Sequence, residues 1–192
     1  AHAGGHLGFS REELAHLYEP DYEANYDDEI RRIIACVHEY GEKYGVHIPV
    51  ITAGGIMNAR QVQHAFALGA EGVQVATPFV TTEECDAAPA YKQAYVNASD
   101  EDVIIIKSPV GMPGRAIKNA FIERMLAAPD KISHCFNCLK ACNPATAPYC
   151  ITQALINAVV GDLDNGLIFC GSRVGEITKI TTVPKLMQEL TV

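Results

Sequence analysis

The chain has 192 residues, of which 48% are hydrophobic, with 15 glycines, 10 prolines and a net charge of -8; that is enough apolar content to bury a core and too little bias for a fibrous or disordered chain. The acidic balance argues against nucleic acid or an anionic membrane as partner, and no apolar run approaches the ~20 residues that span a bilayer. Seven cysteines without a signal-peptide pattern suggest reduced thiols and a cytoplasmic location, although Asn97-Ala98-Ser99 formally fits a glycosylation sequon.

Residues 1 to 9 form a glycine-rich loop around two histidines, and Ser10-Arg11-Glu12-Glu13 fits the capping box that opens a helix. A lone histidine is more often structural or solvated than catalytic. On a loop whose glycines at 4, 5 and 8 leave room for a flat ring, His6 is also a candidate general acid or base beside a cofactor. Residues 19 to 28 carry Asp, Glu and Tyr around Pro20 and read as a solvated connection or a lid. Ile30, Ile33, Ile34 and Val37 then recur at helical spacing, so Asp28 to Lys43 is expected as an amphipathic helix packed on a sheet and closed by Gly45.

The stretch from Ile48 to Thr77 reads as one β-α-β unit. A short apolar run, Val50-Ile51, ends in Gly54-Gly55; Asn58 caps a helix that buries Val62, Ala65, Phe66 and Leu68 and stops at Gly69; Val73-Gln74-Val75 is the second strand. Such strands are expected to be covered on both faces. Ligands gather where parallel strands end, since the loops expose main-chain N–H groups and small residues let a phosphate approach. Gly54, Gly55, Ala76 and Thr77 are the candidates, against the plainer reading of a tight connection.

Beyond Thr77, Pro78 to Ala90 is polar, Tyr91 to Ala98 reads as a helix, and Val103 to Lys107 as a strand. A loop with two Gly and two Pro follows from Ser108 to Ile117, carrying Arg115, which could meet a substrate phosphate or carboxylate or simply form a surface ion pair. A helix is expected from Arg115 to Leu126 with Ile117, Phe121 and Met125 or Leu126 inward. Cys135, Cys138, Cys142 and Cys150 fall within sixteen residues interrupted by proline and asparagine, so the thiols could converge as an iron-sulfur or zinc site requires. Buried thiols or a redox pair are the competing readings. Ile151 to Val159 forms a helical stripe stopped by Gly161; Leu167 to Gly175 opens into a Gly-x-x-x-Gly loop, another possible cofactor edge; and a last helix begins near Thr182 with Pro184 in its first turn, carrying Leu186, Met187 and Leu190.

Ala3-Gly-Gly-His6-Leu-Gly8, Pro49-Val-Ile-Thr-Ala-Gly-Gly-Ile56, Leu68-Gly-Ala-Glu-Gly-Val-Gln-Val-Ala-Thr77 and the Gly-Arg-Ala-Ile run at 114 to 117 together resemble the nitronate monooxygenase (2-nitropropane dioxygenase) family. That family also holds the flavin-dependent enoyl-acyl carrier protein reductase II and NAD(P)H-dependent flavin oxidoreductases. The resemblance implies an α/β fold: the last βα units of an FMN-binding TIM (β/α)8 barrel over residues 1–80, and a family-specific extension with the cysteine cluster and helices over 81–192. It places Gly4 and Gly5 against the flavin, Gly54 and Gly55 at the FMN phosphate, and Gln74, Val75, Ala76 and Thr77 at the edge of that pocket. His6 matches the active-site histidine, which moves a proton at the substrate carbon while the flavin carries the redox step. Oxidation of alkyl nitronates by O2 and NAD(P)H-dependent enoyl reduction are both implied, with a nitronate or an enoyl thioester as substrate.

Three features depart from the family pattern. Ala76-Thr77-Pro78-Phe79 stands where Gly-Thr-x-Phe is usual, often with Arg at the third place. The cysteine cluster is outside the general pattern and is similar in spacing to the iron-sulfur segment of flavin-containing dienoyl-CoA reductases. A full barrel needs about 250 residues, so the N-terminal half of the barrel is expected as a partner of this chain, with a homodimer as a possible assembly. Readings of other classes are a non-catalytic fragment, an iron-sulfur or zinc module, and a phosphate-binding barrel of another chemistry.

Overall fold

A computed structural model describes residues 3–8, 22–109, 111–140 and 142–191. The expected helix after Ser10 and most of the residue 19–28 connection lie outside the described residues or at their edge. The first long helix, α1 (Tyr22–Tyr44), takes in the end of that connection and so starts earlier than the apolar stripe indicates.

The β-α-β unit forms as expected. β1 (Ile51–Ala53) pairs in parallel with β2 (Gly72–Gln74), with Ala53 opposite Gln74. Between them runs α2 (Ala59–Ala67), opened by a capping box in which the Asn58 side chain accepts from the Gln61 N–H while the Gln61 side chain accepts from the Asn58 N–H. Val62 and Ala65 are buried and Phe66 is not, being 48% exposed. Coverage on both faces is also corrected: Ile51 is 63% exposed. Only Ile34 of the expected α1 stripe is buried, against Gly69, and Ile33 is 46% exposed. A pair of three-residue strands is too narrow to cover a 23-residue helix.

The short α3 (Thr77–Val80) and α4 (Pro89–Asn97) follow. A single 3-10 turn, Asp100–Asp102, leads into β3 (Val103–Lys107), which pairs antiparallel with β4 (Pro113–Ile117), Ile105 opposite Arg115. Half of the expected glycine- and proline-rich loop is therefore a strand. Arg115 sits in that strand rather than opening a helix, and the helix itself, α5 (Ala120–Ala127), starts after the Asn119 cap. Phe121 and Ile122 face inward, whereas Leu126 is 69% exposed. α6 (Ile151–Val160) ends at Gly161 in the left-handed conformation, and α7 (Val183–Leu190) is capped by Thr182.

Two core clusters flank β4: one joins Ile106, Phe121, Ile122 and Tyr149, the other joins Tyr95, Ile117, Ile168 and Val174. A third, with Ile56, Val62, Leu186 and Leu190, seats α7 against α2; Met187 stays on the outer side. The two small sheets are joined by two connecting stretches, residues 3–7 and 167–173, and it is there that the candidate site lies.

Candidate active site

Residues 5–7 and 167–170 run along one edge of β4. The Arg115 N–H donates to the Gly5 carbonyl at 2.6 Å and the Leu7 N–H to the Pro113 carbonyl at 2.9 Å. Farther along, the Ile117 N–H donates to Ile168 at 2.9 Å and the Cys170 N–H to Arg115 at 3.1 Å. The sheet is thus extended by two pieces of chain remote in sequence from it. They meet over Gly114. A Cβ there would lie 2.6 Å from the Phe169 ring, and the same ring stands 4.7 Å, centroid to centroid, from the imidazole of His6. His6 itself is exposed. A glycine, a phenylalanine and a strand edge therefore set the ring plane of His6 while leaving it open to a ligand. The Phe169 carbonyl accepts from the Tyr95 hydroxyl at 2.6 Å, and Tyr95 is in turn bonded to Tyr91 at 2.9 Å. Burial pushes both phenols above their ordinary range, Tyr95 further than Tyr91, so they stay neutral hydrogen-bonding groups.

The glycines at the end of β1 meet the other side of the same loop. Gly54 and Gly55 take φ of +93° and +70°, values open to glycine at little cost. A Cβ on Gly54 would stand 2.8 Å from the Gly4 nitrogen, and one on Gly55 would stand 2.6 Å from the Ala3 Cβ. The expectation that missing side chains here make room for a phosphate is therefore corrected in its mechanism. The room is taken by residues 3 and 4, and what remains for a ligand is the main chain. Among the described residues no protein acceptor engages the N–H of Gly54 or Gly55, and unengaged donors at a strand end are what a phosphate needs. The cradle thus fits an FMN phosphate in donor chemistry.

Thr77 and the 171–173 loop close the arrangement. The Ser172 N–H donates to the Ala3 carbonyl at 3.0 Å, and a Cβ on Gly171 would lie 3.0 Å from that carbonyl and 3.5 Å from Thr77 Oγ1. Gly4, Gly54, Gly55 and Thr77 are consequently brought together around Ala3. Ala76, exposed, precedes α3 as its cap, Val75 packs into the core cluster under α7, and Gln74 stays in the β ladder opposite Ala53.

The Arg115 side chain is turned into the fold. It is 7% exposed and donates to the Gly4 carbonyl at 2.7 Å. Together with its own N–H on Gly5, it holds the loop that carries His6 from two sides. Burial pushes the neighbouring Cys170 thiol up to about 12, with Arg115 opposing and Asp100 adding to the shift; that thiol is an inert wall of the site.

The cysteine cluster is elsewhere. Cys135 and Cys138 are exposed, Cys142 and Cys150 half-buried, and Cys150 stands at the start of α6. Among the described residues no three His, Cys, Asp or Glu side chains are grouped to hold a metal ion.

Sequence reasoning missed the part of Phe169: the run from Leu167 to Gly175 marked its segment but not the residue, and the Gly-Arg-Ala-Ile run marked Gly114 without its contact to the Phe169 ring.

Probable nitronate monooxygenases are 40% identical over 87 residues in Staphylococcus saprophyticus and 45% identical over 80 residues in Staphylococcus aureus strain Newman, covering 45% and 42% of this chain and 24% and 22% of those proteins. The structure of FabK from Thermotoga maritima is 29% identical with a TM-score of 0.66, over 98% of this chain and 50% of that one. Nitroalkane oxidase from Streptomyces ansochromogenes, 23% identical, shares the fold with a TM-score of 0.62 over 99% of this chain and 48% of its own. The chain therefore spans about half the length of these solved structures. No described helix is long and apolar enough to cross a membrane. With the family model described as nitronate monooxygenase matching residues 1–192 from end to end, the chain belongs to the nitronate monooxygenase family.

Proposed function

We propose that the chain is the C-terminal part of a flavin-dependent TIM-barrel oxidoreductase that binds FMN and oxidises alkyl nitronates with O2. The observation that carries the reading is the junction of two elements: a strand-end glycine pair with unengaged N–H donors, and a loop packed directly on it that presents His6. Bound FMN would supply the redox couple. Gly54 and Gly55 would hold its phosphate, with Thr77 beside them, and Gly4 and Gly5 would lie along it. His6, its ring set by Phe169, would hold and move the proton at the substrate carbon. Residues 1–80 serve as the flavin-binding part in this reading, and 81–192 supply β4 and the loops that brace it.

The remaining barrel strands are the partner this reading requires. Ile33 on α1, Ile51 in β1 and Phe66 on α2 are all exposed and support such a partner.

The test is spectroscopic. The complete protein should carry FMN absorbance or regain it on titration, and a colourless protein that cannot be reconstituted would end the reading. Replacement of His6 by Gln should lower turnover about 10²–10⁴-fold without removing the flavin; unchanged turnover would exclude the proton-transfer role.

A second reading, NAD(P)H-dependent reduction of an enoyl thioester, is favoured by the similarity to FabK across 98% of this chain. Nitronate consumption without NAD(P)H selects the first, and enoyl reduction with NAD(P)H the second.

The cysteine segment adds a proposal of its own, ligation of an iron-sulfur cluster, or of zinc, by Cys135, Cys138, Cys142 and Cys150. Its support is local: Asn137 takes φ +53° and its N–H donates to Cys135 Sγ at 3.4 Å, a bond that fixes the direction of that sulfur. The segment would have to close around the metal, and analysis for iron, zinc and acid-labile sulfide decides the matter.

A further inference from the structure

We propose that Tyr95 is a positioning residue for His6, acting through Phe169: its hydroxyl holds the Phe169 carbonyl, and that bond fixes the ring against which the imidazole lies. The inference rests on the flavin reading above and deepens it by naming what sets the proton-transfer group.

The direction of the hydrogen bonds is the first support. Phe169 bridges antiparallel to Ala116, the Ile168 carbonyl accepts from Ile117 at 2.9 Å, and the Cys170 N–H donates to Arg115 at 3.1 Å. Successive carbonyls of an extended chain point to opposite edges, so the Phe169 carbonyl is turned from β4 towards α4. Among the described residues the Tyr95 hydroxyl, at 2.6 Å, is its donor. Removing that donor leaves a part-buried carbonyl unpaired, and the main chain at 169 must then move to find water or another partner.

Tyr95 is itself held fast. It is 2% exposed and packs among Ile117, Ile168 and Cys170. A phenol has one proton, and that of Tyr95 goes to Phe169, so the 2.9 Å contact with Tyr91 runs from the Tyr91 hydroxyl to the Tyr95 oxygen. Burial raises both phenols above their ordinary range, and neither proton is lost at neutral pH. α4, which carries both tyrosines, is anchored by Lys92, 8% exposed, whose Nζ donates to the Thr82 carbonyl at 2.8 Å and the Glu83 carbonyl at 3.1 Å.

The Phe169 ring passes this placement on. It stands 4.7 Å from the His6 ring and is seated on Gly114, where a Cβ would lie 2.6 Å from it. Among the described residues the imidazole makes no hydrogen bond, so the ring contact is what orients it.

The experiment follows the His6 Cε1–H resonance of the complete protein, labelled at histidine and assigned by its loss in His6→Gln, beside FMN titration and turnover of nitronate or enoyl thioester. In the wild type the Phe169 ring current displaces that resonance from the position of a solvated histidine. Tyr95→Phe, which removes one oxygen and keeps the ring, should return it towards that position and lower kcat about 10- to 100-fold. KM and the FMN dissociation constant should stay within about twofold. Phe169→Leu should do the same, and Tyr95→Phe added to it should cost less than about twofold more, as expected of two residues acting as one. Tyr91→Phe, which frees the Tyr95 hydroxyl to rotate, should move the resonance in the same direction and lower kcat about two- to fivefold; it carries the test alone if Tyr95→Phe does not fold. An unmoved His6 resonance, or losses of turnover that add in full, overturns the proposal. So does a fall in FMN affinity as large as the fall in turnover, which marks Tyr95 as a general prop of the fold. A wild-type protein that binds no flavin and consumes neither substrate overturns the reading beneath; the His6 resonance, which needs neither, then decides by itself whether Tyr95 sets the imidazole.

Discussion

Replacing Gly54 with Ala tests the junction between cradle and histidine loop. At φ +93° an L residue is outside even the small left-handed well, and strain of that kind costs about 1–3 kcal/mol. The new Cβ would also stand 2.8 Å from the Gly4 nitrogen and 3.1 Å from its Cα, main-chain atoms that cannot rotate out of the way. Moving Gly4 would in turn strain the 2.7 Å bond from Arg115 to the Gly4 carbonyl, a charged hydrogen bond worth about 1.5–3 kcal/mol. If a third to a half of that bond is lost, the total is about 1.5–4.5 kcal/mol. Gly45→Ala is the control: φ is +64° and nothing lies within 4 Å of its Cβ, so only about 1–2 kcal/mol of strain applies. Urea unfolding of both variants gives the difference, and FMN titration should show that only the Gly54 variant loses the flavin. A Gly54→Ala protein no less stable than Gly45→Ala, and still yellow, would refute the packing of residues 3 and 4 on this turn.

Gly114→Ala should displace the Phe169 ring, which stands 2.6 Å from the new methyl, and lower turnover more than tenfold through His6 while the flavin stays bound; turnover within twofold of wild type would uncouple Phe169 from the histidine. Asn58→Ala removes both the α2 cap and a hydrogen bond to Glu176, and should cost about 1–2 kcal/mol, or roughly 2–8 °C in Tm; a shift below 1 °C would contradict the capping box. Iodoacetamide at pH 8 should modify the exposed Cys135 and Cys138 and spare Cys170, as read by peptide mass. The fold raises the Cys170 thiol from the ordinary 9 to about 12, so in this window the native state binds the proton the unfolded state releases. Stability should therefore fall as pH rises above 9, and a Cys170→Ala variant should show a shallower alkaline decline.

Legibility followed the range of the interaction. The β-α-β unit was readable because its signals are local: Asn58 three residues before Gln61, Gly69 after the last turn, and two short β-branched runs. The 108–117 loop was misread because β4 owes its existence to partners beyond its own sequence. Arg115 meets Gly5 and Cys170, and Ile117 meets Ile168, across 50 to 110 positions of chain, while the glycines and prolines in it argue locally for a loop. The stripe on α1 failed for the opposite reason. Its periodicity is real, yet a face is buried only when something wide enough lies against it, and Ile33 remains 46% exposed. Within the candidate site, His6 and Gly54-Gly55 stood out through their motifs, but Phe169 meets His6 and Gly114 through contacts that no spacing encodes.

Those contacts make the histidine loop the link between two sheets that share no ladder. Ala3 and Gly4 fill the space denied to side chains at the end of β1, Gly5 to Leu7 extend β4, and Ser172 ties the C-terminal loop to the same Ala3 carbonyl. Any displacement of β4 relative to β1 must therefore move His6 and the Gly54-Gly55 turn with respect to each other. In the flavin reading proposed above, a proton-transfer group set against a bound cofactor would be sensitive to shifts near 1 Å, and glycines with no Cβ to give way would govern that distance. The bare main chain at Gly54, Gly55 and Gly114 would then serve alignment as much as binding, because each is the point at which two chain segments touch.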